Sequence, residues 1–354
     1  MTCSIPYCPK PQFDRHPLFF KYYTGDDGYF IFASCCKTQW LHHAVGMSQG
    51  DIMLSSIPMY AASSLNGVFI ACLMSGVPWV LTKKFSPIDV LDKIDQFNAT
   101  IYHAAGPMII MTLNHEDFPQ HNLSFLRLIT WSNVLPMASM ERLREALPKI
   151  DMIQFYGFTE SSPVGTHITL KDMLHRTGSC GKLEPDFGSF RVVDEQGQDL
   201  PPEETGEVIH QSGGLMSGYY NKPEATQTAV REGWFHSGDL GKFDKDGYLY
   251  IVGRVKEMIS RGGEKVYAPE VEQVLYEHPA VLEAAVVGIP HNVLVEEVKA
   301  FVVLKKGKQV KEEELISHCK GRLSHFKIPR TIEFMRELPK NSMGKILKYE
   351  LVAR

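Results

Sequence analysis

The chain has 354 residues, with 37 Lys plus Arg against 41 Asp plus Glu, a formal charge of −4 and 44% hydrophobic residues. At about 150 residues per domain this length suggests two or three domains. The apolar share excludes a disordered tail protein, and the near-balanced charge excludes a dedicated nucleic-acid binder, since no basic excess is available to neutralise phosphates. The seven cysteines (Cys3, Cys8, Cys35, Cys36, Cys72, Cys180 and Cys319) are odd in number and scattered, with no C-x-x-C pair. That pattern argues against a disulfide framework or a structural zinc site and for a reducing compartment, cytoplasm or organellar matrix. The first residues lack the basic and apolar regions of a secretory signal.

The first half alternates between strand and helix patterns. Residues 52–82 contain no charge and are long enough to span a bilayer. Pro58, Gly67, Gly76 and Pro78 punctuate them, so the expectation is a buried helix over about 64–75, a buried strand over 78–81 and no transmembrane span. Apolar residues at helical spacing (Val90, Leu91, Ile94, Phe97) predict a helix over 89–97. A strand follows over 99–103, a helix over 107–113, a strand over 126–131, a helix over 140–147 and a strand over 151–156. Such alternation implies a mainly parallel sheet covered by helices, with ligands beyond the carboxyl ends of its strands.

From Gly188 the texture changes. Short strands over 190–194, 207–211 and 247–252, separated by turn-rich segments, predict an antiparallel β subdomain. The region from Lys256 reads as a helix over 268–278, strands over 281–288 and 298–304, a helix over 311–323, a strand over 331–334 and a terminal helix over 345–353. The fold class is therefore α/β: a large domain over 1–255 with a mainly parallel sheet and an antiparallel β subdomain, then a small α+β domain over 256–354.

Five segments carry chemistry. In Gln154-Phe155-Tyr156-Gly157-Phe158-Thr159-Glu160 a strand end meets a glycine, a hydroxyl and a carboxylate. Gly157 permits close backbone approach, Thr159 can donate to a phosphate, and Glu160 offers a hard oxygen to Mg²⁺. A solvated turn with a helix cap reads the same way. Trp234-Phe235-His236-Ser237-Gly238-Asp239 offers a carboxylate suited to a ribose diol, or a hairpin turn. Gly253-Arg254-Val255-Lys256-Glu257 leads to Arg261-Gly262-Gly263-Glu264 and then a helix. Gly206-Glu207-Val208, with the run over 218–224, looks structural. Pro339-Lys340-Asn341-Ser342-Met343-Gly344-Lys345 places one lysine where it can meet an anion as a point charge, or simply be solvated.

Together, in this order and spacing, the five segments resemble the adenylate-forming (AMP-binding) superfamily, most closely its medium- or long-chain fatty-acyl-CoA ligases. The resemblance runs from about Gly50 to Arg354. It implies that Thr159 contacts ATP phosphate, Glu160 holds Mg²⁺, Asp239 and Arg254 bind the ribose, and Tyr156 and Gly157 lie at the nucleotide. It further implies that Lys256 is a hinge, that Lys345 bridges carboxylate and α-phosphate, and that Gly262 and Gly263 line the path of coenzyme A. ATP, Mg²⁺ and coenzyme A would be used, with a fatty acid or other aliphatic carboxylic acid as substrate. The basic run Lys320, Arg322, His325, Lys327 and Arg330 would meet CoA phosphates or solvent. The acyl pocket would draw on residues 107–113 and 162–165, whose Met108, Ile109, Ile110, Met111 and Val164 suit an aliphatic tail.

The sequence departs from that pattern in several places. The family's glycine-rich phosphate loop should precede Pro58-Met59-Tyr60, yet no glycine lies between Gly28 and Gly46. Such loops wrap phosphates with backbone N–H groups. Here only Lys37 and Thr38, after a strand over 30–33, offer a partial substitute. Ala61 stands for a common His, Ser132-Asn133 for a Gly-Gly pair, and Val295 for a Gly before Glu-Glu-Val. The subdomain ahead of the phosphate loop is expected to be missing, which would expose sheet edges and an apolar face unless a protein partner covers them. Three functions follow: an acid–CoA ligase, a truncated relative that binds nucleotide, acyl group or protein without turnover, and an acyl-adenylate ligase that delivers to a carrier-protein thiol.

Overall fold

In a computed structural model, the described residues are the strand backbones 19–24 and 27–32, and residues 44–352 apart from 133, 134, 136, 163, 164, 184 and 342–344. Lys37, Thr38, Asn133, Val164 and Gly344 lie outside them. Among the described residues the strands form four sheets.

β1 (Phe19–Thr24) and β2 (Asp27–Phe32) form an antiparallel hairpin, so a strand does occupy part of 30–33. The central sheet contains β3 (Met53–Ser55), β4 (Trp79–Leu81), β5 (Ile101–Ala105), β6 (Leu128–Ser132), β7 (Asp151–Gly157) and β8 (Gly165–Thr169), in the order β4-β3-β5-β6-β7-β8. All its pairings are parallel except β7–β8. β5 is buried along its whole length, as expected of a parallel strand covered on both faces. Tyr102 and Trp131 anchor the core on one face, with Val90, Leu91 and Ile94 from the helix Pro87–Phe97. That helix starts on its proline, whose missing N–H has no intrahelical role in the first turn, and stops at Asn98 with φ +52°. The other face packs under Val68, Ala71 and Cys72, from a π-helical turn Ser63–Phe69 that continues into the helix Ile70–Ser75.

The helix and strand expected over 64–75 and 78–81 are therefore present. Among the described residues no helix is long and apolar enough to cross a membrane. Leu73 and Met74 are 70% and 50% exposed on the outer side of this helix. Cys72, Cys180 and Cys319 are buried free thiols.

The next strands are β9 (Ser179–Gly181), β10 (Ser189–Val193), β11 (Gly206–Gln211), β12 (Gly218–Tyr219), β13 (Val230–Arg231), β14 (Trp234–Phe243) and β15 (Leu249–Arg254). They form the antiparallel sheet β10-β11-β14-β15-β9, with β13 beside β14, while β12 pairs with β2. The segment read as a turn over 234–239 is thus the first half of a ten-residue strand. The last sheet contains β16 (Met258–Arg261), β17 (Glu264–Tyr267), β18 (Val281–His291), β19 (Val295–Leu304) and β20 (Thr331–Met335). The helices Ala268–Tyr276 and Glu312–Cys319 pack on it. The terminal helix starts at Lys348, not Lys345, because Ile346 is bridged to Lys340 instead.

Val295 has φ +70° and is 67% exposed. A β-branched residue is strained in the left-handed region, whereas glycine is at ease there. We predict that Val295→Gly raises the unfolding free energy by about 1 kcal/mol, the strain relief exceeding glycine's larger unfolded-state entropy. An unchanged or lower denaturant midpoint for Val295→Gly would refute the strain assignment.

Candidate functional site

Tyr156 stands near the carboxyl end of β7, where the sheet is built to meet a ligand. Its strand comes very close to β8: a Cβ on Gly165 would lie 1.7 Å from the Tyr156 carbonyl oxygen. Only glycine permits that approach. Asp239 on β14 and Arg254 on β15 are paired directly across the antiparallel ladder, so both side chains leave on one face. Arg254 Nε donates to Asp239 Oδ1 at 2.6 Å, and the Tyr156 hydroxyl donates to Oδ2 at 2.8 Å. Asp239 is 8% exposed, whereas the Arg254 side chain is 44% exposed. Burial pushes the Tyr156 phenol well above its ordinary pKa, and the adjacent Asp239 charge pushes it further. It therefore stays a neutral donor. A carboxylate accepts about four hydrogen bonds, so Asp239 keeps acceptor capacity for a diol.

Glu207 and Ser237, which the sequence reading gave no role, shape the Asp239 backbone. The Glu207 carboxylate meets His236 Nδ1 at 2.8 Å and accepts from the Gly238 N–H at 3.2 Å. Ser237 Oγ donates to the Val208 carbonyl and accepts from the Asp239 N–H. A register shift between Glu207 and Ile209 accompanies this arrangement. Its sequence signal was the Gly206-Glu207-Val208 run, read as structural.

Thr159 and Glu160 begin a 3₁₀ turn, Thr159–Ser161, directly after β7. Phe158 fixes the turn in an aromatic cluster with Tyr156, Phe190 and Phe235. The Glu160 carbonyl accepts from the Met216 N–H at 2.7 Å, and Glu160 Oε1 accepts from the Tyr219 hydroxyl at 2.9 Å. Tyr219 comes from β12, so only tertiary structure brings it to Glu160. Among the described residues no group of three or more His, Cys, Asp or Glu could hold a metal ion. Glu160 suits Mg²⁺ that arrives on phosphates, which takes one or two carboxylates from protein.

The remaining expected residues lie in other elements. Lys256 is exposed in the turn Val255–Glu257, between β15 and β16. Gly262 and Gly263 form the β16–β17 hairpin turn with φ +60° and +92°, where the Gly262 N–H donates to the Leu294 carbonyl at 2.7 Å. Lys345 is exposed on the loop after β20; its backbone bonds to Asn341. Among the described residues its ammonium makes no ion pair and does not meet Thr159, Asp239 or Arg254. Lys348, three residues on, reaches Glu257 at 3.3 Å and Glu272 at 2.8 Å, tying the helix behind Lys345 to the Val255–Glu257 turn. In the basic run, Lys327 is paired with Glu270 at 2.8 Å.

The helix Gly106–Leu113 belongs to the apolar core. The cavity beside it, lined by Leu91, Tyr102, Ile109, Leu113 and Phe118 among others, holds about 20 Å³. That is room for about one water molecule.

Solved structures share this arrangement of a mainly parallel sheet followed by a small α+β domain. The anthranilate CoA ligase AuaEII, solved with anthranoyl-AMP, superposes with a TM-score of 0.86 and 29% identity over 94% of this chain and 66% of that one. The O-succinylbenzoate CoA synthetase MenE from Bacillus subtilis, solved with ATP and magnesium, gives 0.82 and 28% over 94% and 69%. In sequence, the long-chain-fatty-acid–CoA ligase of Bacillus subtilis (strain 168) is 36% identical over 301 residues, 85% of this chain and 53% of that protein. The AMP-binding enzyme family model matches residues 30–220, and the AMP-binding enzyme C-terminal domain model matches residues 270–345. The chain belongs to the AMP-binding enzyme family. It spans about half the length of the curated relatives it matches.

Proposed function

We propose that this chain activates a carboxylic acid as its acyl-adenylate at the expense of ATP and passes the acyl group to coenzyme A. The observation that carries the reading is the buried Asp239 carboxylate, held by Arg254 and Tyr156 at the carboxyl end of the sheet. Asp239 and Arg254 take the ribose, with Tyr156 and Gly157 beside the nucleotide. Thr159 donates to a phosphate, and Glu160 supplies the carboxylate for magnesium. A carboxylate attacks a polyanion poorly, so a cation must offset the charge that develops. Lys345 takes that role once the Lys256 turn swings the last sheet toward Asp239. Gly262 and Gly263 then face the incoming thiol. Enclosure keeps water from the adenylate.

The relatives act, by their names, on long-chain fatty, anthranilic and succinylbenzoic acids, so the family leaves the acid open; a fatty acid is the finer reading. A second reading, nucleotide binding without turnover, is favoured by one observation: the absence of glycine between Gly28 and Gly46. ATP–pyrophosphate exchange with a panel of acids separates the two. We expect exchange in the wild type and a loss of about a hundredfold or more in Lys345→Ala, in line with removing a group that stabilises transition-state charge. Exchange no higher than in Lys345→Ala for every acid would leave the binding reading. Where exchange occurs, supplying coenzyme A or a carrier protein as acceptor identifies the thiol.

A further inference from the structure

Met53, Ile101 and Leu128 form an apolar layer on the sheet face that packs under Val68, Ala71 and Cys72. Two residues further along each strand, toward the carboxyl ends, the same face turns polar. Ser55, His103 and Thr130 stand in register on β3, β5 and β6. Side chains two apart on a strand share a face. All three residues are buried, His103 to 3% exposure.

Thr130 Oγ1 lies 2.8 Å from His103 Nδ1, but His103 Nε2 is buried with no hydrogen-bond partner. An unpaired buried polar atom costs about 1–3 kcal/mol, a penalty that any apolar residue at this position would avoid. Burial lowers the ring's pKa to about 4, so near neutral pH it is an uncharged hydrogen-bonding group. The segment covering this face is the π-helical turn Ser63–Phe69, whose buried residues include Ser64 and Asn66. Wide turns of this kind are rare and concentrate at functional sites.

We propose that His103 determines acid specificity: the acid carries a hydroxyl or oxo oxygen remote from its carboxylate, and that oxygen hydrogen-bonds to His103 Nε2. The proposal rests on the acid-activating reading above and names its substrate class. A hydroxyl satisfies either imidazole tautomer, because it both donates and accepts. A bare hydrocarbon tail would leave Nε2 unpaired, and sites built to bond a substrate hydroxyl discriminate strongly against analogues lacking it.

The test is calorimetric titration of the full chain, with AMP present, using two matched pairs: 4-hydroxycinnamate against cinnamate, and 12-hydroxydodecanoate against dodecanoate. The wild type is expected to bind the hydroxylated member of at least one pair about tenfold or more tightly. In His103→Leu that preference should fall to within about twofold. Equal wild-type binding within both pairs, or binding of none of the four, overturns the proposal, and this comparison needs no variant to fold. A preference that survives in His103→Leu also overturns it. AMP binding, measured first, tells the failures apart: if AMP binds and the acids are not discriminated, only the His103 assignment falls, whereas no AMP binding removes the acid-activating reading as well.

Discussion

Replacing Asp239 by Asn is expected to raise the AMP dissociation constant by about 30- to 100-fold, or roughly 2–3 kcal/mol, the loss typical of charge-assisted hydrogen bonds. Asparagine keeps one acceptor oxygen and turns the other position into a donor. The Tyr156 hydroxyl or Arg254 Nε, which now approach Oδ2 and Oδ1, must then share that oxygen with the ribose. Tyr156→Phe removes only one donor and leaves the carboxylate charge, so its effect should be about fivefold. The measurement is calorimetric titration with AMP, alongside circular dichroism to verify the fold. Wild-type affinity in Asp239→Asn would remove Asp239 from the ribose site.

The second large effect concerns stability. Asp51 is 3% exposed and sits where β3, β5 and β6 begin. It accepts from Thr100 Oγ1, from Arg127 Nε and Nη2 at 2.7 Å each, and from the Ser48 backbone N–H at 2.8 Å. Burial alone would raise its pKa. The hydrogen bonds from Arg127, Thr100 and Ser48 outweigh that and hold the carboxyl well below its ordinary range. Asp51→Asn should lower the unfolding free energy by about 2–3 kcal/mol. That is less than for a fully buried pair, because Arg127, 42% exposed, can rehydrate.

The sign with pH follows from the lowered value. The folded state binds the Asp51 proton more weakly than the unfolded chain does. This contribution is therefore complete above the unfolded pKa of about 4 and is lost as pH falls below it toward the folded value. Urea midpoints at a series of pH values from neutral to acid should fall more steeply in the wild type than in Asp51→Asn. Parallel curves would show that Asp51 does not set the acid limb.

How much of this was legible beforehand differs by element. The helix Pro87–Phe97 and the strands β5, β6 and β7 follow from local apolar periodicity, with their ends displaced by up to two residues. His236-Ser237-Gly238, within β14, has the composition of a turn. Pairing with β11 and β15 and the Glu207 contacts hold it in a strand instead, a case of tertiary context overriding propensity. The Gly262-Gly263 loop became a hairpin for the complementary reason: both residues sit at positive φ, and β16 finds a second partner in β19. Helical composition around Lys345 is overridden by the Lys340–Ile346 bridge, and the helix starts only at Lys348.

The family, the order of its motifs and the α/β class are properties of the sequence alone, because motif spacing and strand–helix alternation are local signals that survive without coordinates. So are the missing glycines before Gly46 and the valine at position 295. Tertiary structure decided what those residues meet. It set Tyr156 on Asp239 across 83 positions and Tyr219 on Glu160 across 59. It also placed His103 against Thr130 on the neighbouring strand and left its second nitrogen unpaired. The physical reason is range: backbone propensity acts over a few residues, whereas burial and hydrogen-bond satisfaction are settled only when distant strands pack side by side.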